Sequence, residues 1–148
     1  MKLDPVEIIK LDGKLVEVDK EAVPHTLAFN ELGLKTAMSC QGHNYSWPRF
    51  TIWFSKDVTD IQIKDIHKRI YKQWLKERKR KGPIQGLLGN WVKEMYFIEE
   101  NGELIEKERW MYYTVGRNAK AAIKNAHYDY KFIKLALDEL KMEEIYND

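Results

Sequence analysis

The chain has 148 residues, 44% hydrophobic and 32% charged, with a net charge of +2. This composition excludes a disordered chain, and the length predicts one domain over residues 1–148 with a core of its own. No apolar run approaches the roughly 20 residues that span a bilayer, the start MKLDPVEIIKLDG lacks the pattern of a signal peptide, and the one cysteine excludes an internal disulfide. A cytoplasmic protein with no membrane partner is therefore expected.

In VEIIKLDGKLVEV, two apolar-alternating runs flank Asp12-Gly13, which predicts a hairpin with a tight turn. EAVPHTLAFNELG reads as a short helix with Pro24 in its first turn and Gly33 at its end, and Leu27, Leu32 and Leu34 are expected to close over the sheet. LKTAMS and PRFTIWF are strands. The second sets Phe50, Ile52 and Phe54 on one face and Arg49, Thr51 and Trp53 on the other.

Thr59 and Gln62 have the spacing of a capping box, and the helix they open is expected from Asp60 to Lys81. Its buried stripe is Ile63, Ile66, Ile70 and Trp74, and Gly82-Pro83 stops it. After the loop GPIQGLLGN comes a hairpin turning at Asn101-Gly102, which pairs Val92 with Met111, Glu94 with Arg109, Ile98 with Ile105 and Glu100 with Glu103. Asn118 caps a final helix with an apolar stripe of Ile123, Ala126, Tyr130, Ile133, Leu137 and Leu140. The order ββ-α-ββ-α-ββ-α predicts an α+β fold, a largely antiparallel sheet with helices packed against it.

The stretch KTAMSCQGH concentrates reactive groups. Cys40 and His43 form a candidate nucleophile–base pair, because a nearby imidazolium enriches the thiolate. Ser39, Gln41, Asn44 and the Gly42 amide could donate to an oxyanion or phosphate, and Arg49 could add a charge. The plainer alternative is a small buried Cys40 beside a glycine turn. A metal site would need Cys40 and His43 plus one of His25, His67 or His127; only the first pair is close in sequence, so no metal is expected, and the sequence names no cofactor.

FNELGLKTAMSCQGHNYSWPRFTIWF resembles a pattern in uncharacterised small bacterial and phage proteins, carried here by Asn30, Gly33, Thr36, Ser39, Cys40, Gly42 and His43 across about residues 20–54. The resemblance implies no activity; it points to this turn as the place for a site. A fainter likeness joins the segment to a class of tRNA-modifying methyltransferases with Ser-Ser-Cys-Ser-Gly-Arg. Met38 and His43 stand where that motif has Ser and Arg, and methyl transfer is not carried over.

Charge is uneven. Residues 64–81 hold nine Lys/Arg against two Asp/Glu, while Asp138–Asp148 holds five acids against Lys141. Lys64, Lys68, Lys72, Lys76 and Arg80 recur at spacing four, widened by Arg69, Arg78, Lys79 and Lys81. This row is either a solvated face answered by the acidic tail or a stripe for weak, non-specific nucleic-acid binding, with exposed members of the five Trp and eight Tyr available for stacking. No base-reading motif accompanies it. Two functions follow: binding of a small anionic or nucleotide-like ligand at Ser39–His43, with cysteine chemistry open to it, or a non-catalytic nucleic-acid or protein-binding module using residues 64–81.

Overall fold

A computed structural model describes residues 5–41 and 48–147. Strands β1 (Val6–Leu11) and β2 (Lys14–Asp19) form an antiparallel pair. A 3-10 turn, Lys20–Ala22, leads into α1 (Val23–Glu31). Then come β3 (Thr36–Cys40), β4 (Arg49–Phe54), α2 (Asp60–Lys81), β5 (Asn90–Glu100), β6 (Glu103–Val115) and α3 (Ala119–Tyr146).

The fold is α+β and antiparallel, as the element order predicts. The strands divide into two sheets: β1-β2 stands apart from a four-stranded sheet ordered β3-β4-β6-β5. Among the described residues, no helix is long and apolar enough to cross a membrane.

Both hairpin turns owe their form to backbone sign. Asp12 and Gly13 have φ of 49° and 80°, and Asn101 and Gly102 have 52° and 81°. Positive φ at both central residues matches the right-handed twist of the flanking strands, which is why Asp-Gly and Asn-Gly suit these turns. The expected β5–β6 register forms in full, including Val92 opposite Met111, Glu94 opposite Arg109 and Ile98 opposite Ile105. The capping box at Thr59 and Gln62 closes in both directions, and the Asn118 side chain accepts from the Ala121 amide.

The core lies between the larger sheet and the helices. Phe50, Ile52, Phe54 and Tyr112 supply the sheet face; Phe29, Leu34, Ile63, Ile66, Ile70, Phe132 and Ile133 close over it. Three expectations need correction. Leu27 remains exposed while Leu32 and Leu34 enter the core. On α2 it is Gln73 that is buried and Trp74 that lies at the margin, because Gln73 donates to Glu139 while the Trp74 indole turns to the Gln85 carbonyl. On α3, Ala126, Ile133 and Leu137 are buried as expected, but Ile123, Tyr130 and Leu140 lie at the margin, and the buried face extends to Ala122, Asp129, Phe132 and Ala136; the alanines let the helix approach the sheet. The two faces of β4 alternate as expected, and the second is covered too: Thr51 is 1% exposed, with its strand neighbours Arg49 and Trp53 both half-buried.

Candidate functional site

At the Cys40 turn, Gly42, His43 and Asn44 lie outside the described residues. Cys40 stands opposite Thr51 and Ser39 opposite Ile52, so the two side chains leave β3 on opposite faces. Arg49 shares the face of Cys40 and lies over the Tyr113 ring, 4.7 Å from its centre. Gln41 is buried and engaged: its amide donates to Asp19 and its side-chain oxygen accepts from the Glu21 amide. Other positions of the resemblance are structural. Asn30 donates to the Thr36 hydroxyl and accepts from the Thr36 amide, and Gly33 has φ of 92° just beyond α1. Among the described residues, no group of three or more His, Cys, Asp or Glu is arranged to hold a metal ion.

The basic row does not stay on one face. An α-helix turns about 100° per residue, so each step of four advances about 40° and five such positions sweep about 160°. Lys72 and Lys76 reach α3, where Glu139 accepts from them at 3.2 and 3.0 Å. Burial works against ionisation of Glu139, but Lys76, Gln73 and Lys72 together hold its carboxyl at about 2. Arg69 pairs with Glu143, while Lys81, Lys131 and Arg80 converge on Glu77. Lys64 and Lys68, at the other end, make no ion pair among the described residues and turn toward the strands.

There they meet a cleft of about 460 Å³, lined by Ile63, Lys64, His67 and Lys68 of α2, Gly89, Asn90 and Trp91 at the start of β5, and Trp110 of β6. Trp91 is fixed by stacking on Phe54, with ring centres 5.7 Å apart and planes 6° from parallel. Trp110 is fixed by its indole N–H, which donates to Asp60 at 2.7 Å. Lys93 adds a second bond to the same carboxylate, and these two donors, Trp110 first, lower the Asp60 pKa.

The floor rests on Asp129 of α3. This buried carboxylate accepts from the Leu88 amide, the Gly89 amide and the Tyr112 hydroxyl at 2.8, 2.7 and 2.7 Å. Burial raises its pKa, and the three donors act the other way. Gly89 is obligatory here: a Cβ would come within 2.1 Å of the Tyr112 ring. His67 presents much of its ring to solvent, yet the protein crowded around it lowers its pKa, with Asp129 acting in the opposite direction.

Comparison with protein-family models, with curated proteins and with solved structures finds no match. The cleft's chemistry must therefore be read from its own groups. It offers two indole rings, two ammonium groups and an imidazole, and among the described residues no hydroxyl or thiol lines it. That set suits binding of a planar, negatively charged molecule.

Sequence reasoning located Lys64 and Lys68 but not their partners in the cleft. Trp91, Trp110, His67 and Asn90 come from three elements, and no spacing rule joins them. The loop glycine at 89, just before a strand, was the one available signal of close backbone approach.

Proposed function

We propose that the protein binds a small anionic, nucleotide-like ligand in the cleft between α2 and β5–β6. The observation that carries this reading is the sharing of one cleft by Trp91 and Trp110 with Lys64, His67 and Lys68. Stacking a base on an aromatic side chain contributes about 1–3 kcal/mol. Lys64 and Lys68 supply charge for a phosphate, and among the described residues no acid lines the cleft to compete with it. Titration with adenosine monophosphate and with adenosine, followed by tryptophan fluorescence and backbone amide shifts, tests this. The nucleotide should bind about tenfold more tightly than the nucleoside, and Lys64→Gln with Lys68→Gln should erase the difference. Absence of any shift in the cleft at millimolar nucleotide overturns the reading.

A second reading keeps ligand chemistry at Ser39–His43, with Cys40 as nucleophile, His43 as base, and Ser39, Gln41, Gly42, Asn44 and Arg49 around the ligand. It is supported by the register that sets Cys40 and Arg49 on one sheet face. Iodoacetamide labelling against pH probes it. A thiol titrating well below the ordinary value of about 8.5 favours chemistry, whereas labelling only on unfolding removes it.

A further inference from the structure

β5 and β6 run on past the rest of their sheet. β4 pairs with β6 only from Met111 to Val115, whereas β5 pairs with it down to Glu103. Residues 94–109 are thus a two-stranded arm. One face of the arm continues the helix-covered side of the sheet. Moving outward, Trp91 stands opposite Tyr112, Lys93 opposite Trp110, Met95 opposite Glu108, Phe97 opposite Glu106 and Glu99 opposite Leu104. α2 begins at Asp60, whose carboxylate binds Lys93 and Trp110. Beyond that point no helix covers the same face: Met95, Phe97 and Leu104 are 55%, 59% and 76% exposed, and Lys56 and Asp57 flank it only beside Glu106 and Glu108.

The arm is also acidic, with six Glu against Lys107 and Arg109. Arg109 answers Glu94 and Lys93 answers Glu108. Glu99 and Glu106, which border the apolar side chains, make no ion pair among the described residues.

We propose that this face of the arm docks a cationic amphipathic helix of another polypeptide. A helix is about 10 Å across and two strands lie about 5 Å apart, so one helix covers the ribbon as α2 covers its base. Its apolar stripe rests on Met95, Phe97 and Leu104, and its flanking Lys or Arg meet Glu99 and Glu106. A second copy fits poorly: arm against arm sets like charges together, and the apolar stripe of the basic helix α2 is already buried in its own core. Nucleic acid is repelled by the arm's charge.

The test uses three peptides of about five helical turns: an amphipathic Leu/Lys helix, the same composition scrambled so that Leu is spread around the helix, and a Leu/Glu counterpart. Backbone amide shifts and calorimetry on the full chain read binding. The amphipathic cationic peptide should bind with shifts centred on residues 95–106. Phe97→Ser with Leu104→Ser, and separately Glu99→Lys with Glu106→Lys, should each weaken it about tenfold while leaving the urea midpoint unchanged. Equal binding of the scrambled peptide overturns the proposal, as do shifts centred on the acidic end of α3. Dimerisation of the chain abolished by Phe97→Ser also overturns it, because the occupant is then a second copy.

Discussion

The Tyr112 hydroxyl donates to Asp129 across the interface of β6 and α3 at 2.7 Å, and the same carboxylate oxygen holds the Gly89 amide. A strand, a helix and the loop before β5 are joined at one buried charge. Asp129→Ala strands the Leu88 amide, the Gly89 amide and the Tyr112 hydroxyl without an acceptor. The expected loss is on the order of 3 kcal/mol or more, measured by urea denaturation. Tyr112→Phe removes one donor and should cost less, about 1–3 kcal/mol.

Gly89→Ala tests packing at the same place. The added methyl meets a ring that is buried and tied by its hydroxyl, so it cannot swing aside. A destabilisation of about 1–3 kcal/mol is expected. Because the floor of the cleft moves with this loop, nucleotide affinity should fall as well, even at temperatures where the variant is fully folded.

His25 makes stability depend on pH. The ring is fully buried against Phe50, its Nε2–H donates to the Ala126 carbonyl, and its Nδ1 has no hydrogen-bond partner among the described residues. Burial pushes its pKa down to about 4 from an ordinary 6.5. The unfolded chain therefore binds the proton first. Stability from this residue is complete above the unfolded value and is lost as pH falls from 6.5 toward 4, where the folded ring also titrates. At pH 5 the loss should be about 2 kcal/mol relative to pH 7.5. Urea midpoints of the wild type and of His25→Gln at both pH values check this, and the variant should show a shallower dependence.

Polyanion binding by α2 should be weak and depend on few charges. Glu139 occupies Lys72 and Lys76, and Glu77 occupies Arg80. The logarithm of affinity for single-stranded DNA should fall with the logarithm of salt concentration by about 0.7 for each contact, with a total near one to two contacts rather than five. Lys72→Gln with Lys76→Gln should leave that slope unchanged, and Lys64→Gln with Lys68→Gln should flatten it. Glu139→Gln should steepen it while changing stability by about 1 kcal/mol or less, since the lysines of these pairs are largely solvated.

Much of the local architecture was legible along the chain. Both hairpins follow from Asp12-Gly13 and Asn101-Gly102, and α2 follows from Thr59, Gln62 and Gly82, because a turn or a cap is settled within a few residues. Alternation placed Phe50, Ile52 and Phe54 on one face for the same reason. The candidate sites were less legible. The Cys40 turn stood out because its reactive groups are consecutive, whereas the cleft joins His67 to Trp110 across 43 positions of the sequence.

The sequence by itself determined the order of the elements, the caps of α2 and α3 and the register of β5 against β6. Those depend on backbone dihedral preference, local hydrogen bonds and the period of apolar residues, all short-range quantities. Only the tertiary structure decided that β1-β2 would stand apart, that Asp129 would be buried beneath Gly89, and that the basic row would split. A helical row of lysines winds around its axis by geometry alone. Which of those charges meets an acid depends on where α3 lies, and α3 is placed by small residues packing against the sheet, a long-range choice that no local pattern contains.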